Sequence, residues 1–202
     1  MLVFWKERLV ILAVPKTGTT ALEGALAPRA SMVLRDPPQV KHAPLYRYRR
    51  LIEPLLATAG GLPLETLAVL REPVDWLSSW YRYRSREDLA GHPNSTRGVS
   101  FEAFVEEYGK GKPAPFATVG SQARFALEKD GTRGATHLFR YEEPERLMAF
   151  LLERLGARLD LPRLNVSPIM EVALSPEGLA RLRRKRPEEF AAWDMAGPGP
   201  DG

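Results

Sequence analysis

The feature that most constrains this chain is the apolar run Leu9-Val10-Ile11-Leu12-Ala13-Val14, closed by Pro15 and followed at once by the small-residue turn Lys16-Thr17-Gly18-Thr19-Thr20. A short, continuous apolar run rich in β-branched side chains predicts a strand buried on both faces. Beyond the turn, Ala21, Leu22, Ala25 and Leu26 recur at three-to-four-residue spacing, which predicts a helix over 20–26. A strand, a tight turn and a helix form the opening unit of an α/β layer arrangement.

The same grammar repeats downstream. Further strands are predicted over 31–34, 64–70 and 136–141, and helices over 45–57, 73–84, 101–108, 121–129, 144–155 and 175–185. Pro73 and Pro144 suit the first turn of their helices, whereas Pro54 sits inside one and is a local objection to it. Residues 85–100 and 109–115 carry turn formers without apolar periodicity and read as loops. Alternating strands and helices predict an α/β fold, a central parallel β-sheet flanked by helices on both faces as a three-layer sandwich. One domain over 1–196 accounts for the length, with 197–202 a flexible Pro/Gly-rich tail.

The turn after the first strand has the chemistry of a phosphate cradle. Backbone N–H groups at a helix N-terminus lack intrahelical partners, the helix dipole favours negative charge there, and Gly18 permits close approach of the chain. Lys16 adds a positive charge, and Thr17, Thr19 and Thr20 add hydroxyls. A nucleotide-triphosphate loop of the G-x-x-x-x-G-K-[ST] kind places its lysine after the glycines, but here the lysine comes first. ATP or GTP hydrolysis is therefore not the natural chemistry. Composition agrees: 29 basic against 25 acidic residues give a net charge of +4, which suits an anionic ligand. The absence of cysteine excludes thiol catalysis and zinc–thiolate sites. The 9–14 run is too short to span a bilayer, so no stable membrane insertion and a cytoplasmic location are expected.

The order Pro15-Lys16-Thr17-Gly18-Thr19-Thr20 after a buried strand resembles the 5′-phosphosulfate loop of sulfotransferases that use 3′-phosphoadenosine 5′-phosphosulfate (PAPS). A second segment, Arg71-Glu72-Pro73-Val74-Asp75-Trp76-Leu77-Ser78-Ser79-Trp80-Tyr81, resembles the family's 3′-phosphate segment, an arginine ending a strand and a serine eight positions on; Arg71 and Ser79 occupy those places. Weaker echoes are Lys41-His42-Ala43-Pro44, Ser100-Phe101-Glu102-Ala103-Phe104, Phe139-Arg140-Tyr141-Glu142 and Leu164-Asn165-Val166-Ser167-Pro168. An Arg-Lys-Gly cofactor motif of the cytosolic small-molecule enzymes is not evident.

The resemblance implies a P-loop NTPase-like fold and a PAPS-dependent enzyme that passes a sulfuryl group to a hydroxyl or amine, leaving adenosine 3′,5′-bisphosphate (PAP). It implies no metal and no nucleic-acid partner. Lys16, Thr17, Gly18, Thr19 and Thr20 would hold the 5′-phosphosulfate, with Lys16 also stabilising the leaving charge; Arg71 and Ser79 would hold the 3′-phosphate. His42 would be the base, with Asp36 its rival. The acceptor, a glycan or small metabolite, is not named by the residues, nor is the oligomeric state. A nucleotide-dependent kinase and a catalytically silent PAP-binding module are the alternatives. Among Trp76, Trp80, Tyr81 and Tyr83, adenine stacking competes with a plain core role. The 46–50 basic-aromatic cluster and Arg183, Arg184, Lys185 and Arg186 are either ligand-facing or solvated helix faces.

Overall fold

A computed structural model of the chain describes residues 1–60, 63–156, 170 and 172–197; the 164–168 echo and positions 198–202 of the expected tail lie outside them. Five strands form one sheet: β1 (Leu2–Phe4), β2 (Leu9–Ile11), β3 (Met32–Val33), β4 (Glu65–Leu70) and β5 (His137–Arg140), in the order β3-β1-β2-β4-β5. β2, β4 and β5 are mutually parallel, as expected of buried apolar runs. The sheet as a whole is mixed, which corrects the all-parallel expectation: β1 lies antiparallel to both β2 and β3. β1 and β2 make a hairpin around residues 5–8, in which the Arg8 N–H donates to the Trp5 carbonyl and Arg8 has φ 55°. With only three residues, β1 carries no periodicity that separates it from a chain end.

Both faces of the sheet are covered. Val3, Val10, Leu12, Ala68, Leu70 and Leu138 point to one side. There they meet α3 (Leu45–Arg47), its continuation, and the Ala123–Ala126 segment. The alternate residues Leu9, Ile11, Leu67, Val69 and Phe139 point to the other side, against α1 (Thr19–Leu26) and α7 (Pro144–Leu155). This period-two partition is the pleat at work. A third apolar cluster, built on Trp76, Leu77, Phe104 and Tyr108, joins α5 (Pro73–Arg84), α6 (Phe101–Tyr108), α8 (Pro176–Lys185) and α9 (Pro187–Met195) beyond the strand ends.

Local signals place most helices where the spacing puts them. Ser100 caps α6 by accepting the Ala103 N–H at 3.1 Å, and Ser175 caps α8 by accepting the Gly178 N–H at 2.9 Å. The helix expected over 45–57 runs through Pro54 by way of a π-helical turn, Tyr48–Ile52, before α4 (Glu53–Thr58). A π turn re-routes the backbone bonds that a proline would otherwise break. The helix expected over 121–129 is not formed. A single 3₁₀ turn at Ala123–Phe125 gives way to a hairpin-like loop. In that loop Glu128 N–H donates to the Thr132 carbonyl at 2.9 Å and Leu127 bridges Arg133. The turn is made at Asp130-Gly131, where Gly131 has φ 84°. α2 (Pro38–Lys41) and α9 were not anticipated. No described helix is long and apolar enough to cross a membrane.

Candidate functional site

Three neighbouring parallel strands end side by side, and each delivers a residue of interest just past its carboxyl end. The 15–18 turn follows β2, Arg71 follows β4 and Tyr141 follows β5. That edge of an open α/β sheet is where ligands bind. The turn is held by two bonds. Thr17 Oγ1 donates to the Val14 carbonyl at 2.9 Å, and the indole of buried Trp76 donates to the Pro15 carbonyl at 2.9 Å. Lys16 and Gly18 both have positive φ, 68° and 75°. For lysine such a conformation costs about 1–2 kcal/mol, and strain of this kind concentrates at functional sites.

Gly18 is the N-cap of α1 and supplies no side chain to cap it. Among the described residues, no acceptor takes the N–H of Thr19 or Thr20. Thr19 is buried and Thr20 is exposed beside it. The helix therefore presents open donors and its positive dipole end. Lys16 and Arg86 lie over the ring of Tyr83, the Lys16 Nζ at 4.4 Å and the Arg86 Cζ at 4.7 Å from its centroid. Trp80 is a second aromatic neighbour of Lys16, 5.7 Å from its Nζ. Neither cation has an acidic partner among the described residues. Burial pushes the Lys16 ammonium down to about 8, and the charges of Arg86, Arg71 and Arg82 add to that shift. Concentrated, unneutralised positive charge beside open N–H donors is an anion site in waiting.

Arg71 joins this cluster from the β4 end. Its Nη1 donates to the Lys16 carbonyl at 3.3 Å, its Nε to Asp75 Oδ2 at 2.6 Å, and its guanidinium covers the Tyr141 ring at 4.6 Å. Asp75 orients the fork from one edge, and Nη2 has no hydrogen-bond partner among the described residues. The Tyr141 ring also closes over the turn, 3.5 Å from where a side chain on Gly18 would begin. Ser79 is buried in α5 and makes no side-chain hydrogen bond among the described residues. Its neighbour Ser78 does engage the cluster, donating to the Asp75 carbonyl at 2.7 Å and accepting from Arg82 Nη2 at 3.0 Å.

His42 lies beside the segment that leads into the turn. Its Nδ1 lies 2.7 Å from the Ala13 carbonyl, two residues before Pro15. A carbonyl only accepts, so Nδ1 carries the proton and Nε2 keeps its lone pair. Burial lowers the His42 pKa below the usual imidazole range, with Lys41 adding to that shift, which keeps the ring neutral near pH 7. Lys41 itself is committed to Glu23 of α1 at 2.8 Å, and the same carboxylate takes Arg35 at 2.5 Å. Asp36 is exposed ahead of α2. His137 pairs with Glu65 at 2.8 Å at the opposite end of the sheet, and His92 accepts the Asn94 N–H in an exposed loop. Arg186 is tied to the carbonyls of Tyr108 and Lys110, and Arg183 stacks on Phe190.

The structure thus brings Lys16, Thr17, Gly18, Thr19 and Arg71 together, adds His42 beside the strand that leads into the turn, and sets Ser79 in the helix packed behind them. Sequence reasoning missed Tyr141, Arg82 and Arg86 as members of the cluster. Asp75, Ser78 and Arg82 recur at helical spacing, a signal present in the chain, whereas Arg86 lies beyond the end of α5. No family model, curated protein or solved structure matches this chain. Among the described residues no cluster of His, Asp or Glu has the makings of a metal centre.

Proposed function

We propose that the protein is a PAPS-dependent sulfotransferase on a P-loop NTPase-like fold. What carries the proposal is the convergence of Lys16 and Arg71, joined by a hydrogen bond across 55 positions, at a helix N-terminus whose N–H groups are open. Two anionic groups on one nucleotide need two basic subsites at fixed separation, and the two convergent segments offer them. The Lys16–Thr20 turn receives the 5′-phosphosulfate, and Arg71 receives the 3′-phosphate with Ser79 as its neutral companion.

In the reaction, an oxygen or nitrogen of the acceptor attacks sulfur while the bond from sulfur to the 5′-phosphate oxygen breaks. His42 Nε2 accepts the acceptor proton, and PAP leaves with the bond's electron pair on its phosphate. Lys16 stabilises that developing charge. Positioning and electrostatics supply most of the acceleration, as in phosphoryl transfer. The acceptor is a small molecule or glycan that reaches the site from the His42 side.

Isothermal titration with PAP, adenosine 5′-monophosphate and magnesium ATP tests the assignment. Binding that requires the 3′-phosphate supports it, and transfer of label from PAPS to an acceptor completes it. A preference for magnesium ATP replaces it with a kinase. PAP binding without transfer to any of a broad acceptor panel replaces it with a silent module.

A further inference from the structure

Arg71 is the residue on which donor recognition turns, and it stands where β4 runs out of sheet: β5 supplies its last rung there when the Tyr141 N–H donates to the Leu70 carbonyl at 2.7 Å. The next rung is made by a side chain. The Gln122 carboxamide accepts the Arg71 N–H at 3.0 Å through Oε1 and donates to the Arg71 carbonyl at 2.7 Å through Nε2. A planar amide that reads both backbone groups of one residue does what a neighbouring strand would do. Only one orientation of the carboxamide satisfies both bonds, so its direction follows from the network.

Gln122 is fully buried and is itself held from behind. The N–H groups of Gln122 and Ala123 both donate to Glu189 Oε2, each at 3.2 Å, and the Tyr108 hydroxyl donates to Oε1 at 2.8 Å. Glu189, 1 % exposed, lies at the start of α9 and has no described cationic partner in this cluster. A buried carboxylate left without a cation is costly unless hydrogen bonds satisfy it, and here backbone donors of the very segment that carries Gln122 do so.

We propose that Gln122, anchored by Glu189, is the positioning residue that sets the backbone of Arg71 and thereby aims its guanidinium at the 3′-phosphate. This rests on the donor-site assignment above. A long side chain amplifies small backbone rotations, so losing the Gln122 clamp misdirects the fork without removing it.

The test is Gln122→Met in the full chain, a change of similar volume that removes both bonds. Titrations with PAP and adenosine 5′-monophosphate give the selectivity for the 3′-phosphate. Loss of a buried clamp predicts about a 10-fold fall in PAP affinity with monophosphate affinity held within about 2-fold. An unchanged selectivity in folded protein overturns the positioning role. If Gln122→Met does not fold, Gln122→Asn, one methylene too short to hold both backbone groups of Arg71, is read by the same ratio and the same criterion applies. If the unaltered protein shows no preference for PAP, the donor assignment fails on its own. The positioning claim is then decided by the Arg71 Nε–H resonance in labelled protein, which must shift or broaden in Gln122→Met, and a resonance that stays in place overturns it.

Discussion

The guanidinium of Arg71 donates to the backbone carbonyl of Lys16 at 3.3 Å, although 55 positions separate the two residues. That contact welds the end of β4 to the turn after β2 and makes one cationic surface from two segments. Nothing within either segment requires the other. Their meeting follows from β2 and β4 being parallel neighbours, so that both carboxyl ends open on the same edge.

Lys16→Met separates function from stability. Turnover is expected to fall by about 100-fold or more, as for loss of a charge-stabilising donor. Stability moves the other way, because the ammonium is held at about 8 in the folded chain against 10.5 for an unperturbed lysine. Between those values the unfolded chain binds more protons, so the stability of the unaltered protein rises with pH across that window. Below pH 8 the burial penalty is fully present. There the methionine variant melts about 2–4 °C higher, corresponding to roughly 1 kcal/mol at this chain length. Melting curves at pH 7 and pH 10 check it: a gain at pH 7 that shrinks at pH 10 is expected.

Arg71→Ala is expected to abolish the preference for PAP over adenosine 5′-monophosphate, weakening PAP by about 10- to 100-fold, the range for charge-assisted hydrogen bonds. Arg71→Lys should not restore it, since an ammonium has no fork to share between Asp75 and a phosphate. Titration calorimetry with both nucleotides reads the ratio, and a lysine variant with full selectivity would speak against a guanidinium shared between Asp75 and the phosphate.

The rate-against-pH profile reports on His42. Its depressed pKa predicts that kcat/KM rises with pH through a limb centred below 6.5 and is flat by neutrality. His42→Ala should remove that limb and lower kcat by about 100- to 10,000-fold, the usual worth of a positioned base. If the alanine variant keeps both rate and limb, the proton goes elsewhere, with Asp36 the next residue to replace.

Gly18→Ala tests the turn itself. At φ 75° a side chain costs about 1–2 kcal/mol. The new methyl also meets Tyr141 at 3.5 Å, an ordinary contact, so backbone strain dominates. The expected result is a melting temperature lower by several degrees with PAP affinity reduced; differential scanning calorimetry with and without PAP measures both.

Much of the fold was legible because its signals are local. The helices Pro73–Arg84, Phe101–Tyr108 and Pro144–Leu155 begin and end where proline, a serine cap and apolar spacing place them. The turn between the first buried strand and α1 was equally plain, since lysine, glycine and hydroxyls are contiguous there. Residues 121–129 show the opposite case. Their composition favours a helix, yet the Ala126 carbonyl that would serve it accepts the N–H groups of Gly134 and Ala135 instead, at 2.8 and 3.0 Å, and the chain turns back at Asp130-Gly131. Propensity is worth tenths of a kcal/mol per residue, and tertiary partners outweigh it.

By itself, then, the sequence determined the repeated strand-and-helix grammar, the turn at Lys16–Thr20 and the residue types available to it, because these depend on neighbours within one or two turns of chain. Only the tertiary structure decided that β1 runs against its neighbours, that Ser78 rather than Ser79 bonds into the Arg71–Asp75–Arg82 cluster, and that Tyr141, Arg86 and the Gln122–Glu189 pair stand around the site. Those relations are hydrogen bonds and ring contacts across tens of residues. Which partner satisfies a buried polar group is set by what packing brings within about 3 Å, and no local pattern encodes that distance.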